Sequence, residues 1–181
     1  MTATATDVIQ FWFEEISPKQ RFTKDEEFDA LIRERFKCLH KRASRGLLYT
    51  WRDHPLDALA EIIVLDQFSR NMYRDKPRAF AQDTLALVLA QEAIRRKLDA
   101  ELKPVYKAFL YMPFMHSESA EIHEIAVFLF DQPGLEDNYN FELKHKAIID
   151  RFGRYPHRNA ILKRKSTPEE IEFLKQPGSS F

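Results

Sequence analysis

Apolar residues recur along this chain at three- and four-residue intervals almost from end to end, and no run of strict alternation is bounded by turn residues. The pattern predicts an all-α fold and no sheet. A first helix is predicted over about Asp7–Ile16, capped by Thr6, with Val8 and Trp12 on one side, Ile9 and Phe13 beside them, and Pro18 ending it. Thr23 followed by Glu26 reads as a capping box opening a second helix, with Phe28, Leu31, Ile32, Phe36 and Leu39 as its stripe and Gly46 as its left-handed stop. Pro55 and Pro77 stand at the first positions of a third and a fourth helix, running to about Tyr73 and Lys97. A short fifth helix over about Pro104–Met112 is expected to break at Pro113, and Ser117 is predicted to cap a sixth that ends near Phe130. A seventh covers about Asp137–Phe152, and Thr167-Pro168-Glu169-Glu170 opens an eighth. Antiparallel helix pairs on short links are therefore expected, as a tetratricopeptide-like right-handed array or an irregular bundle of about eight helices, in one domain over 1–181. The tetratricopeptide signature residues themselves do not recur at their ~34-residue period.

Composition narrows the function classes. The chain has 181 residues with 28 Lys+Arg against 28 Asp+Glu, and the zero net charge argues against a dedicated nucleic-acid binder or a polybasic membrane protein. One cysteine, Cys38, forms no internal disulfide and no cysteine zinc site, and suits a reducing, cytoplasmic setting. Four glycines leave no glycine-rich phosphate loop. No secretory signal pattern opens the chain, and its longest purely apolar run, Leu85–Ala90, falls far short of the ~20 residues that span a bilayer. The neutral total conceals a split. Ala108–Leu143 holds seven acids and no Lys or Arg, whereas Lys144–Lys165 holds eight bases and one acid. Either the two stretches neutralise each other or the basic one lines an anion site.

Three polar segments break the helical rules. In Leu65-Asp66-Gln67-Phe68-Ser69-Arg70-Asn71, Asp66 and Arg70 continue the stripe of Leu59, Ile62 and Ile63 on a helix that is apolar on other sides too. Charge on such a face must be paired or hydrogen-bonded, either as an Asp66–Arg70 strut or as a pocket wall. In Tyr111-Met112-Pro113-Phe114-Met115-His116-Ser117-Glu118, an aromatic and methionine-rich stretch runs into a histidine at a predicted helix start. His116 there is a candidate acid or base, set against a satisfied core histidine. In Arg151-Phe152-Gly153-Arg154-Tyr155-Pro156-His157-Arg158-Asn159, three guanidinium groups fan from a Gly–Pro bend. Such forks suit carboxylate or phosphate, set against a solvated basic face. No Gly-x-Ser-x-Gly elbow and no His-Glu-x-x-His pattern is present, so neither a hydrolase triad nor a metal site is expected.

The same segments, together with Phe11-Trp12-Phe13 and Phe173-Leu174-Lys175-Gln176-Pro177-Gly178, resemble the bacterial domain of unknown function 924 family over about Asp7–Phe181. Ser69 stands where that family usually has Pro, and Phe114 where it usually has Leu. The resemblance implies an all-helical fold of tetratricopeptide-like kind in a soluble, uncharacterised protein. It implies no activity, cofactor or catalytic residue.

Three functions are open at this level. The first is a site for a small anion, possibly enzymatic, with His116, His157, Asp66 and Glu118 as catalytic candidates and Arg70, Asn71, Arg151, Arg154, Arg158 and Asn159 as ligand-binding candidates. The second is a helical scaffold for a peptide or protein, presenting aromatics such as Trp12, Phe13 or Tyr73. In the third, the polar motifs are a purely structural network.

Overall fold

The protein is described over residues 3–181 by a computed structural model. Those residues hold nine α-helices and no strand: α1 (Ala5–Gln10), α2 (Pro18–Phe22), α3 (Glu26–Ala43), α4 (Pro55–Met72), α5 (Asp83–Arg95), α6 (Pro104–Met115), α7 (Ala120–Phe130), α8 (Glu136–Phe152) and α9 (Pro168–Phe173). Consecutive helices joined by short links pack on each other: α3 on α4, α4 on α5, α6 on α7 and α7 on α8. Helix α4 is the hub, packing also against α1 and α6. It can hold that place because it is apolar on nearly every side; Leu59, Ile62, Ile63, Val64, Leu65 and Phe68 are all buried.

An aromatic cluster fills the space between α1, α3, α4 and α6. Phe11 meets Phe36 at 5.1 Å and Phe68 at 6.0 Å, while Trp12 meets Phe68 at 5.6 Å and Phe109 at 5.7 Å between ring centroids. Both residues reach this core because α1 widens into a π-helical turn over Phe11–Glu15. Each such ring contributes about 1.5–3 kcal/mol by leaving water. The aromatics expected on an open groove are therefore inside: Trp12 is fully buried and Phe13 and Tyr73 are half-buried.

Several boundaries differ from the sequence reading for local reasons. Thr4, not Thr6, caps α1, exchanging bonds with Asp7. Pro18 opens α2 with a Ser17–Gln20 capping box, and Thr23 closes that helix, so α3 takes its cap from Asp25, which accepts from the amides of Glu27 and Phe28. Pro77 begins only a 3₁₀ turn, and α5 starts at Asp83. Pro113 lies inside α6. It stands in the last turn, where its missing N–H removes a single helical bond, and His116 N–H still closes the turn on Met112. Helix α7 begins at Ala120, beyond Ser117, whose carbonyl accepts from His123 Nε2. Gly46 does end its segment at positive φ. Among the described residues no helix is long and apolar enough to cross a membrane.

Candidate functional site

The three polar segments meet where the C-terminal half of α4 faces the end of α6. Asp66, 1% exposed, accepts from His116 Nδ1 at 2.7 Å and from Gln67 Nε2 at 2.6 Å, and Arg70 Nη1 stands 3.0 Å from it. Arg70 also forks onto Asp83, the first residue of α5, at 2.9 and 3.0 Å. Arg158 enters from the 3₁₀ turn Pro156–Arg158. Its Nη2 donates to the His116 carbonyl at 3.0 Å, and its Nη1 donates to Asp83 at 3.3 Å. Phe80 and Tyr155 each hold a ring 4.6 Å from that guanidinium, and its Nε is buried without an acceptor among the described residues. Two carboxylates, two guanidiniums and one imidazole are thus gathered from four separate stretches of chain.

Their electrostatics follow from this grouping. Burial pushes the Asp66 carboxyl up, but Arg70 and His116 outweigh it and hold the group well below the usual carboxylate range. Burial, then Arg70, pushes His116 down against the pull of Asp66, which keeps the ring neutral at neutral pH. An ionised carboxylate only accepts, so Nδ1 carries the ring proton and Nε2 is left with its lone pair. The His116 side chain is 16% exposed, and Nε2 has no partner among the described residues and is not sealed from solvent. Chemically the cluster fixes one imidazole tautomer and gathers a neutral base with one buried guanidinium, Arg158, and one partly buried one, Arg70.

A second histidine pair lies behind it. His123 on α7 and Glu142 on α8, both fully buried, meet at 2.5 Å through Nδ1. Tyr155 Oη donates to the Met115 carbonyl at 2.5 Å and lies 3.2 Å from His123 Nε2. The Ser117 carbonyl, 2.9 Å from Nε2, can only accept, so Nε2 carries a proton and a further proton lies between Nδ1 and Glu142. Burial raises the Glu142 carboxyl, and its Oε2 has no partner among the described residues.

The remaining residues singled out by the sequence divide between this centre and its surroundings. Glu118 accepts from Tyr155 N–H at 2.7 Å and from Arg164 at 2.5 and 2.8 Å; burial raises its carboxyl, and these donors bring it below its ordinary value. Gly153, at φ +67, ends α8 in the left-handed region and turns the chain back so that Tyr155 reaches Glu118. Asn159 accepts from Arg164 Nε at 3.0 Å and donates to Glu170 at 3.2 Å. Arg151 and Arg154 each pair with an acid of α9, Glu169 and Glu170. Asn71 donates to Asp29 at 2.8 Å, in a separate pairing shared with Arg74. His157 Nδ1 is buried without a partner among the described residues, and burial and Arg158 lower the ring to about 4.

The acidic and basic stretches pair only in part. Arg164 takes Glu118 and Lys146 takes Glu124, but Arg158 goes to Asp83 and Arg151 and Arg154 to α9. Asp83, Arg164 and Glu142 were not legible as site residues. Asp83 reads in the sequence as an ordinary first-turn acid. A depression of about 470 Å³, open to solvent, lies elsewhere, between Phe130, Gln132, Glu136 and Tyr139.

Comparison with known proteins agrees with the fold and adds no activity. The structure superposes on that of a protein of unknown function from Agrobacterium tumefaciens with a TM-score of 0.90 and 37% identity, covering 94% of this chain and 96% of that one. No curated protein matches the sequence. Residues 8–178 match the family described as bacterial protein of unknown function, DUF924, and the chain belongs to that family.

Proposed function

We propose that the centre around Asp66 binds a small anion, a carboxylate or a phosphate, and that His116 is its proton-transfer residue. One observation carries the reading: Asp66 holds His116 Nδ1, which leaves a neutral, open Nε2 on a ring whose carboxylate partner faces Arg70 and whose backbone carbonyl accepts from Arg158. In this reading Arg70 and Arg158 meet the anion and Asp66 orients the imidazole. Glu118 fixes the Tyr155–Arg158 bend, and His157 adjoins Arg158 on the same turn. Arg151, Arg154 and Asn159 hold that bend against α9, and Asn71 anchors the end of α4 to α3. The lone Cys38, exposed on α3, suits a cytoplasmic setting. A peptide scaffold is less well supported, because the aromatics it would present are half-buried or, for Trp12, fully buried.

A second reading, a purely structural network, is favoured by one fact: each carboxylate of the centre already faces a guanidinium. Thermal-shift titration with inorganic phosphate and with acetate separates the two. The anion site predicts stabilisation by one of them, reduced in Arg158→Gln and in His116→Gln. Absence of a shift with both anions establishes the structural reading.

A further inference from the structure

Beside the polar centre, the chain segment after α9 folds back onto α8. Gly178, at φ +75, makes the reversal. Ser179 follows it, buried, with its hydroxyl donating to the Leu174 carbonyl at 3.2 Å. The reversal delivers Phe181 onto an aromatic surface made by three residues. Its ring stacks on His145 with centroids 3.7 Å apart and planes 24° apart, and it meets His157 edge-on at 6.1 Å. Tyr155 closes the back of this seat, 5.8 Å from His145 and 5.5 Å from His157. Burial holds both histidines far below their ordinary value, to about 3 and about 4, so both rings are neutral at neutral pH and stack as plain aromatics.

Two features distinguish this seat from core packing. Phe181 is 53% exposed, so its ring sits on the rim of the seat instead of completing a close-packed interior. Moreover, His157, whose ring adjoins the phenyl ring, has a buried Nδ1 with no partner among the described residues, a polar atom that a phenyl ring cannot satisfy. A ring carrying its own polar N–H or O–H would supply what the phenyl lacks, since a buried polar atom left unpaired costs about 1–3 kcal/mol.

We propose that His145, Tyr155 and His157 form a binding site for a planar, uncharged aromatic ligand bearing a hydrogen-bonding group, and that Phe181 occupies it as a displaceable plug. The ligand displaces the Phe181 ring, stacks on His145 and pairs with His157 Nδ1. The proposal is independent of the anion reading, which rests on Asp66, Arg70, His116 and Arg158 and not on Phe181 or His145.

Indole is the probe, titrated calorimetrically and by the ring resonances of His145 and His157. Phe181→Ala is expected to bind indole at least about tenfold more tightly than the unmodified chain, because no plug is displaced, with both histidine resonances moving. Phe181→Trp is expected to fill the seat and abolish indole binding. Phe181→Leu, which keeps apolar bulk without a planar ring, should fall between and serves if the alanine variant folds poorly. The response to phosphate is expected to be unchanged in all three. Equal indole affinity with and without the Phe181 ring overturns the proposal, as does binding that leaves the His145 and His157 resonances in place.

Discussion

Asp66 with His116 and Glu142 with His123 are both carboxylate–imidazole pairs, held at 2.7 and 2.5 Å within one helical bundle. Their surroundings differ in two ways. Asp66 has the Arg70 guanidinium against it, and Arg158 is tied to the carbonyl of its histidine, whereas among the described residues Glu142 has only His123 within bonding distance. His116 also reaches solvent, while both members of the other pair are sealed. The guanidinium decides the charge state: Asp66 is driven below its ordinary value and Glu142 above it. Access decides the use, because only the first pair offers a nitrogen that a ligand can touch. The same two functional groups thus make a candidate site in one place and a cross-link between α7 and α8 in the other.

Neutralising each carboxylate with its isosteric amide tests that contrast most severely. Asp66→Asn leaves Arg70 to Asp83 but removes a buried charged acceptor from both His116 and Arg70, and is expected to cost about 2–3 kcal/mol in urea denaturation. Similar losses from Asp66→Asn and Glu142→Gln would show that the two pairs are of one kind. The next effect is pH dependence. His40, His145 and His157 are lowered by burial from 6.5 to about 4, 3 and 4. The unfolded chain therefore binds more protons than the folded one below pH 6.5, so stability should be level above that pH and fall as pH drops toward 4. His145→Gln is expected to flatten this fall, and an unchanged profile would remove His145 from it. Glu142→Gln should cost only about 1 kcal/mol, since an amide still bonds to His123. His116→Gln is expected to change stability least, by about 0.5 kcal/mol, because the amide still donates to Asp66. Its effect should fall on anion binding, and that split between stability and binding is what separates a site residue from a strut.

Much of the fold was legible before any coordinates. Helix α4 runs from Pro55 to Met72 and α8 from Glu136 to Phe152, within a residue of where periodicity, Pro55 and Gly153 put them. The Thr167–Glu170 capping box also forms as read. The errors cluster where one residue has two local uses. Proline both ends and begins helices, and at Pro18 and Pro113 the context chose against the expectation. Thr23 and Ser117 are capping residues by type, but the neighbouring Asp25 and Ser119 take the N-cap positions. At the candidate site, Asp66, Arg70, His116 and Arg158 stood out as charge or imidazole within apolar or aromatic runs. Asp83 and Arg164 did not, since each has an ordinary solvated role in its own segment.

The sequence by itself determined what depends on near neighbours: an all-helical chain, most helix ends, the apolar hub of α4, and the segments in which polar residues stand where apolar ones belong. Only the tertiary structure decided which charges face each other. Arg158 lies 75 residues from Asp83, and Arg154 turns to Glu170 instead of joining it. Helical periodicity acts over a few residues and fixes which side of a helix a group occupies. Ion pairs and buried hydrogen bonds form between sides brought together by packing, and packing alone decided whether a histidine beside a carboxylate is sealed or open.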